Sequence, residues 1–201
     1  MQRALATGRA AMVLAALAMT TAGCGGATVV SAPPAMHVRA GDRPAAVVQA
    51  RAKVAELYVL VLRRYLSTPA ENSFPGRAFK MVYVLNRAYP DAADPRGTHG
   101  PGAPITPRTQ RQVRAALAGM AHVVFIADRG SAIVARGGCG HVKNGGILIT
   151  LGLPAGHGDA VHVAINGFVA CLGATWLTYV LQDQLGAGWR VTGTTGSMAI
   201  S

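Results

Sequence analysis

VHVAINGFVACLGATWLTYVLQDQLGAGWRVTGTT, residues 161–195, is dominated by β-branched and aromatic residues and broken at short intervals by Gly. That is the pattern of successive strands joined by tight turns. Four strands are expected: Val161–Ile165, Phe168–Leu172, Trp176–Gln182 and Trp189–Thr195, the last two closed into a hairpin by Gly186–Gly188. Further back, Ile147–Leu151 also reads as a strand, and Val123–Ala127 is a continuous apolar run, which Asp128-Arg129-Gly130 turns back onto Ser131–Ala135. Gly137-Gly138-Cys139-Gly140 and Asn144-Gly145-Gly146 bracket an expected glycine-rich loop.

The front half has a different period. Between Ala45 and Leu66, Val47, Val48, Val54, Tyr58, Val61, Leu62 and Tyr65 recur on one helical face, with Pro44 suited to the first turn. Thr106-Pro107 is an N-cap and first-turn pair for a second helix whose apolar face is Val113, Ala116, Leu117 and Met120. Between them, FKMVYVLNRAY (79–89) predicts a strand, and the Pro- and Gly-rich stretch 90–104 a loop. The expectation is an α+β domain over residues 44–201, two helices packed on a curved antiparallel sheet. The finish, Thr178-Tyr179-Val180-Leu181 followed by Gly188-Trp189-Arg190-Val191, loosely resembles the closing hairpin of cystatin-like or NTF2-like α+β folds. That resemblance covers about a tenth of the chain and carries no site.

Composition narrows the class. The 201 residues are 51% hydrophobic and 13% charged, which excludes a wholly disordered chain. Of 19 basic residues 16 are Arg, against 8 acidic, for a formal net charge of +11. The Arg residues are dispersed, with Arg63-Arg64 the tightest pair, so no basic block marks a nucleic-acid surface and no nucleic-acid partner is expected. Abundant Arg, Ala and Gly also follow from GC-rich coding.

The amino terminus reads as an export signal. Arg3 and Arg9 precede the uncharged run AAMVLAALAM (10–19), the size of a signal-peptide core and short for a bilayer span. Thr21-Ala22-Gly23-Cys24 then resembles the lipobox of bacterial lipoproteins, with Thr21 where that family most often has Leu. The resemblance implies diacylglycerol on Cys24, cleavage just before it, and anchoring on the outer face of the cell membrane, since acyl chains contribute about 0.8 kcal/mol per buried CH₂. The alternatives are a plain secretory signal with an incidental Cys and a retained helical anchor. Residues 24–43, rich in Gly, Ala, Pro and Ser, are expected to be a tether.

With Cys24 lipidated, Cys139 and Cys171 remain, either bridged in an oxidising compartment or packed as separate thiols. No catalytic constellation assembles. His37, His99, His122, His141, His157 and His162 show no HExxH spacing. Cys139 and His141 with His157 or His162 fall short of a recognisable zinc pattern, so no metal is expected, and neither is a cofactor. Gly137–His141 has a faint similarity to the active-site stretch of L,D-transpeptidases, but it lacks that family's Arg two residues after the Cys and its preceding His-Gly, and the match is rejected. Asp91 and Asp94 lie in the Pro/Gly loop, where turn formation is their usual role. Phe125, Phe168, Trp176, Tyr179 and Trp189 either line a concave sheet that binds an apolar or glycan ligand or fill the core. The expected function is a membrane-anchored, non-catalytic binding module for an unknown protein or envelope ligand. The alternative is an envelope hydrolase or transferase whose site is scattered in sequence and not readable from it, with Cys139 and His141 one candidate pair.

Overall fold

The computed structural model describes residues 42–201 apart from 77, 98–99 and 185–186, with side chains from residue 53 onward except 136 and 157. The expected export signal, Cys24 and the expected tether as far as residue 41 lie outside the described residues.

Helix α1 spans Asp42–Ser67, so it begins two residues ahead of the expected boundary. Pro44 is tolerated there because first-turn N–H groups have no intrahelical acceptor. Its face of Leu57, Tyr58, Val61, Leu62 and Tyr65 is buried, while Glu56, Arg63 and Arg64 are exposed. A short helix α2, Pro69–Asn72, follows. Asn72 is buried, donating to the Tyr65 carbonyl (2.7 Å) and accepting from the Phe74 amide (2.8 Å), which fixes the chain reversal. The strand expected over 79–89 divides into β1 (Met81–Leu85) and β2 (Arg87–Ala88), and β2 pairs with β3 (Ala103–Pro104) in a small sheet of its own. Helix α3, Pro107–Leu117, is capped by the Thr106 hydroxyl, which accepts from the Thr109 amide.

The later strands are β4 (His122–Ile126), β5 (Ile133–Arg136), β6 (Cys139–Val142), β7 (Ile147–Leu151), β8 (Ala155–His157), β9 (Ala160–Ala170), β10 (Gly173–Gln184) and β11 (Gly188–Ile200). The main path of the large sheet runs β11-β10-β9-β7-β1-β4 and is strongly curled. Helices and sheet make the fold α+β, but the expected all-antiparallel sheet is corrected: β4, β1 and β7 are parallel, while the pairs from β7 through β11 and the β5–β6 hairpin are antiparallel. For β1 and β4 the cause is the connection through α3, while β7 joins β1 in parallel after the β5–β6 hairpin. A strand that returns through a helix comes back parallel, and β1–α3–β4 is such a crossover.

The two strands expected at Val161–Ile165 and Phe168–Leu172 are one continuous β9. Asn166-Gly167 does not turn, because the Asn166 amide donates to the Thr175 carbonyl (3.0 Å) and Gly167 leaves room for Tyr65, whose hydroxyl a Cβ there would strike. Leu172, expected in a strand, is 90% exposed at the β9–β10 turn. Gly137 and Gly138, both at positive φ, turn the β5–β6 hairpin, so Cys139 begins a strand where a loop was expected.

The sheet has two unlike faces. Alternation sends Val82, Val84, Val123, Ile147, Ile149 and Ile165 toward α1 and α3, into the main core with Leu177, Tyr179 and Leu181. Tyr83, Leu85 and Leu148 point the other way, under Ala132 and Val142 from the β5–β6 region. A disulfide joins Cys139 to Cys171, their Cα atoms 5.6 Å apart, and ties that hairpin to the β9–β10 turn. Among the described residues no helix is long and apolar enough to cross a membrane.

Candidate functional site

The second face is only partly covered. Where β1, β4 and β7 end, the β5–β6 cover stops and a cleft of about 390 Å³ opens. The parallel strands present their carboxyl ends there, the end at which open parallel α/β sheets bind ligands. Its volume lies within the range of small-molecule sites.

The floor follows from strand periodicity. Thr150 pairs with Asn166, and Asn166 pairs with Trp176, so three neighbouring strands place these residues in one row. At the usual strand spacing the row is roughly 10 Å across. Thr150 and Asn166 are buried, and Trp176 is half-buried. Their chain neighbours Ile149, Leu151, Ile165 and Leu177 face the helices, which fixes the register: a one-residue slip would turn the polar row into the main core and the apolar side chains toward the cleft. Phe168, two residues on from Asn166, and Leu85 from the end of β1 complete the apolar part.

Two loops supply the charges. The loop after β2 brings Tyr89, Asp94 and Arg96 to the rim. Its course is held by Arg87, which donates to the carbonyls of Pro101 (2.7 Å) and Gly102 (2.5 Å), and by the Tyr89 amide, which donates to Leu151 (2.9 Å). Arg96 grips both oxygens of Asp94, with Nη2–Oδ2 at 2.8 Å. The turn after β4 brings Asp128 and Arg129. The Asp128 carboxylate accepts from the Ser131 amide at 3.1 Å, capping the 3-10 turn Arg129–Ala132. The Arg129 guanidinium carbon lies 4.4 Å from the Phe168 ring centroid, and its partial burial there lowers its pKa from the ordinary arginine value.

The expected aromatic set divides in two. Phe168 and Trp176 line the cleft. Tyr179 and Trp189 are buried in the main core; Tyr179 donates to Glu71 (2.8 Å), and Lys53 lies over the Trp189 ring at 4.3 Å. Phe125 packs against the same core beneath Arg114. Asp94 comes to the cleft as well. Cys139 is bonded to Cys171, so in this state it offers no thiol beside His141. Among the described residues no group of three His, Cys, Asp or Glu could hold a metal. Sequence reading missed Thr150, Asn166 and Arg129. The signal for the first two was a polar residue interrupting each of two apolar runs, ILITL and VAING.

Comparison of the chain with protein-family models, with curated proteins and with solved structures gives no match.

Proposed function

We propose that this protein is a lipid-anchored binding module of the cell envelope, held at the membrane through Cys24, which takes a small ligand in the cleft at the carboxyl ends of β1, β4 and β7. The row Thr150–Asn166–Trp176 carries the reading. It sets a buried hydroxyl, a buried amide and a half-buried indole side by side on a rigid sheet, the mix of apolar wall and few fixed polar groups that small-molecule sites use. Non-catalytic binding is favoured over the hydrolase or transferase alternative, because Cys139 is tied up in a bridge and both cleft carboxylates are engaged, Asp94 by Arg96 and Asp128 by a backbone amide. The anchor rests on the sequence of residues 1–24.

Two measurements test the two halves. Growth on labelled palmitate labels the wild-type protein and leaves Cys24→Ala unlabelled and unprocessed; equal labelling of both refutes the anchor. A fragment library screened by thermal shift yields binders that stabilise wild type and not Trp176→Ala. Binders indifferent to that substitution place the site elsewhere.

A further inference from the structure

Among the charged groups of the cleft, Arg129 differs from the others. Arg96 and Asp94 neutralise one another, and Asp128 is spent on capping. Arg129 is exposed and has no carboxylate within ion-pair distance among the described residues, and its guanidinium rests on the Phe168 ring, 4.4 Å from the centroid. A guanidinium that stacks on a ring also has its plane fixed, and it can still offer a planar fork of N–H donors. The carboxylate is the group that matches this fork in shape and charge.

The cleft is far larger than a bare ion needs; beside the paired Asp94 and Arg96 and the Asp128 carboxylate, Leu85, Tyr89 and Trp176 give it an apolar and aromatic stretch of wall. We propose that Arg129 receives the carboxylate of a small organic acid whose apolar or aromatic body lies along Trp176, with Thr150 and Asn166 bonding its polar substituents. The inference rests on the cleft being a binding site. It adds the chemical class of the ligand and the residue that selects it.

Matched probes differing only in charge test it: benzoate against benzamide, and N-acetylphenylalanine against its carboxamide, titrated calorimetrically into full-length protein in detergent. The account predicts that each acid binds at least tenfold more tightly than its amide. Arg129→Met should abolish that preference and Arg129→Lys should retain part of it, both folded and with a melting temperature lowered only by loss of the exposed Phe168 contact. Acids and amides binding equally, with Asn166→Ala weakening both, would overturn the role of Arg129 and leave the binding site standing. Failure of every probe to bind wild type would overturn both.

Discussion

Tyr65 on α1 and Thr175 on β10, 110 residues apart, share a hydrogen bond between two fully buried hydroxyls. The bond pins the long helix to the antiparallel half of the sheet, and Gly167 on β9 makes space for it. Tyr65→Phe strands the Thr175 hydroxyl without a partner and should cost about 1–3 kcal/mol. Gly167→Ala should cost at least as much, because the new methyl and the tyrosine cannot share the space. Urea denaturation of both variants measures this; a loss under 0.5 kcal/mol in both would contradict the packing described.

Alkali should unfold the protein from a defined pH. Burial is the largest cause that pushes the hydroxyls of Tyr58, Tyr65 and Tyr179 well above the ordinary tyrosine pKa, and for Tyr179 the Glu71 carboxylate adds to it. In the unfolded chain these groups lose their protons near pH 10. Their contribution is therefore fully present below pH 10 and is lost as pH rises toward the folded-state values. Each adds a slope of up to roughly 1.4 kcal/mol per pH unit. Denaturation midpoints at pH 9, 10 and 11 should fall steeply only over the last step, and Tyr58→Phe should flatten that fall.

Reducing Cys139–Cys171 should loosen the cover on the second sheet face. The bridge spans a sequence separation of 32, for which chain entropy predicts about 2–4 kcal/mol. The double change Cys139→Ser with Cys171→Ser should lower stability by that amount and raise amide exchange in the hairpin Ile133–Val142. Unchanged exchange there would show that the apolar contacts of Val142 and Ala132 hold the hairpin alone.

Much of the architecture was legible because each element buries one face. The spacing of Tyr58, Val61, Leu62 and Tyr65 gave α1 its core side, Thr106-Pro107 gave α3 its start, and Ile147–Leu151 was read to the residue. The parallel half was not recognised. Its signal was the order strand, helix, strand across Met81–Leu85, Pro107–Leu117 and His122–Ile126, obscured by the loop between β1 and α3. Fusing two expected strands into β9 depended on Tyr65 and Thr175, contacts that no local pattern near Gly167 contains. The cleft was half visible: Trp176 and Phe168 stood out as aromatics, but which face each would take depended on strand register. Arg129 read as a turn residue, since nothing beside it in sequence reveals the Phe168 ring it lies on.

Removing the amide of the floor should separate binding from folding only in part. Asn166→Ala loses the bond to Thr175 and should cost about 1–3 kcal/mol, besides weakening any cleft ligand. Thr150→Val keeps the shape but removes a buried hydroxyl, and it should cost less stability than Asn166→Ala, whose amide bonds a backbone carbonyl, while weakening the same ligands. Calorimetric titration of one fragment into both variants checks the pair; a ligand that binds Thr150→Val as well as wild type does not touch the row.

Fragment soaking of crystals is the most direct test that the carboxyl ends of β1, β4 and β7 form a binding site. The account predicts density clustered in the cleft, in contact with Thr150, Asn166 and Trp176, with acids turned toward Arg129. Fragments collecting at other surfaces while the cleft holds only water would contradict it.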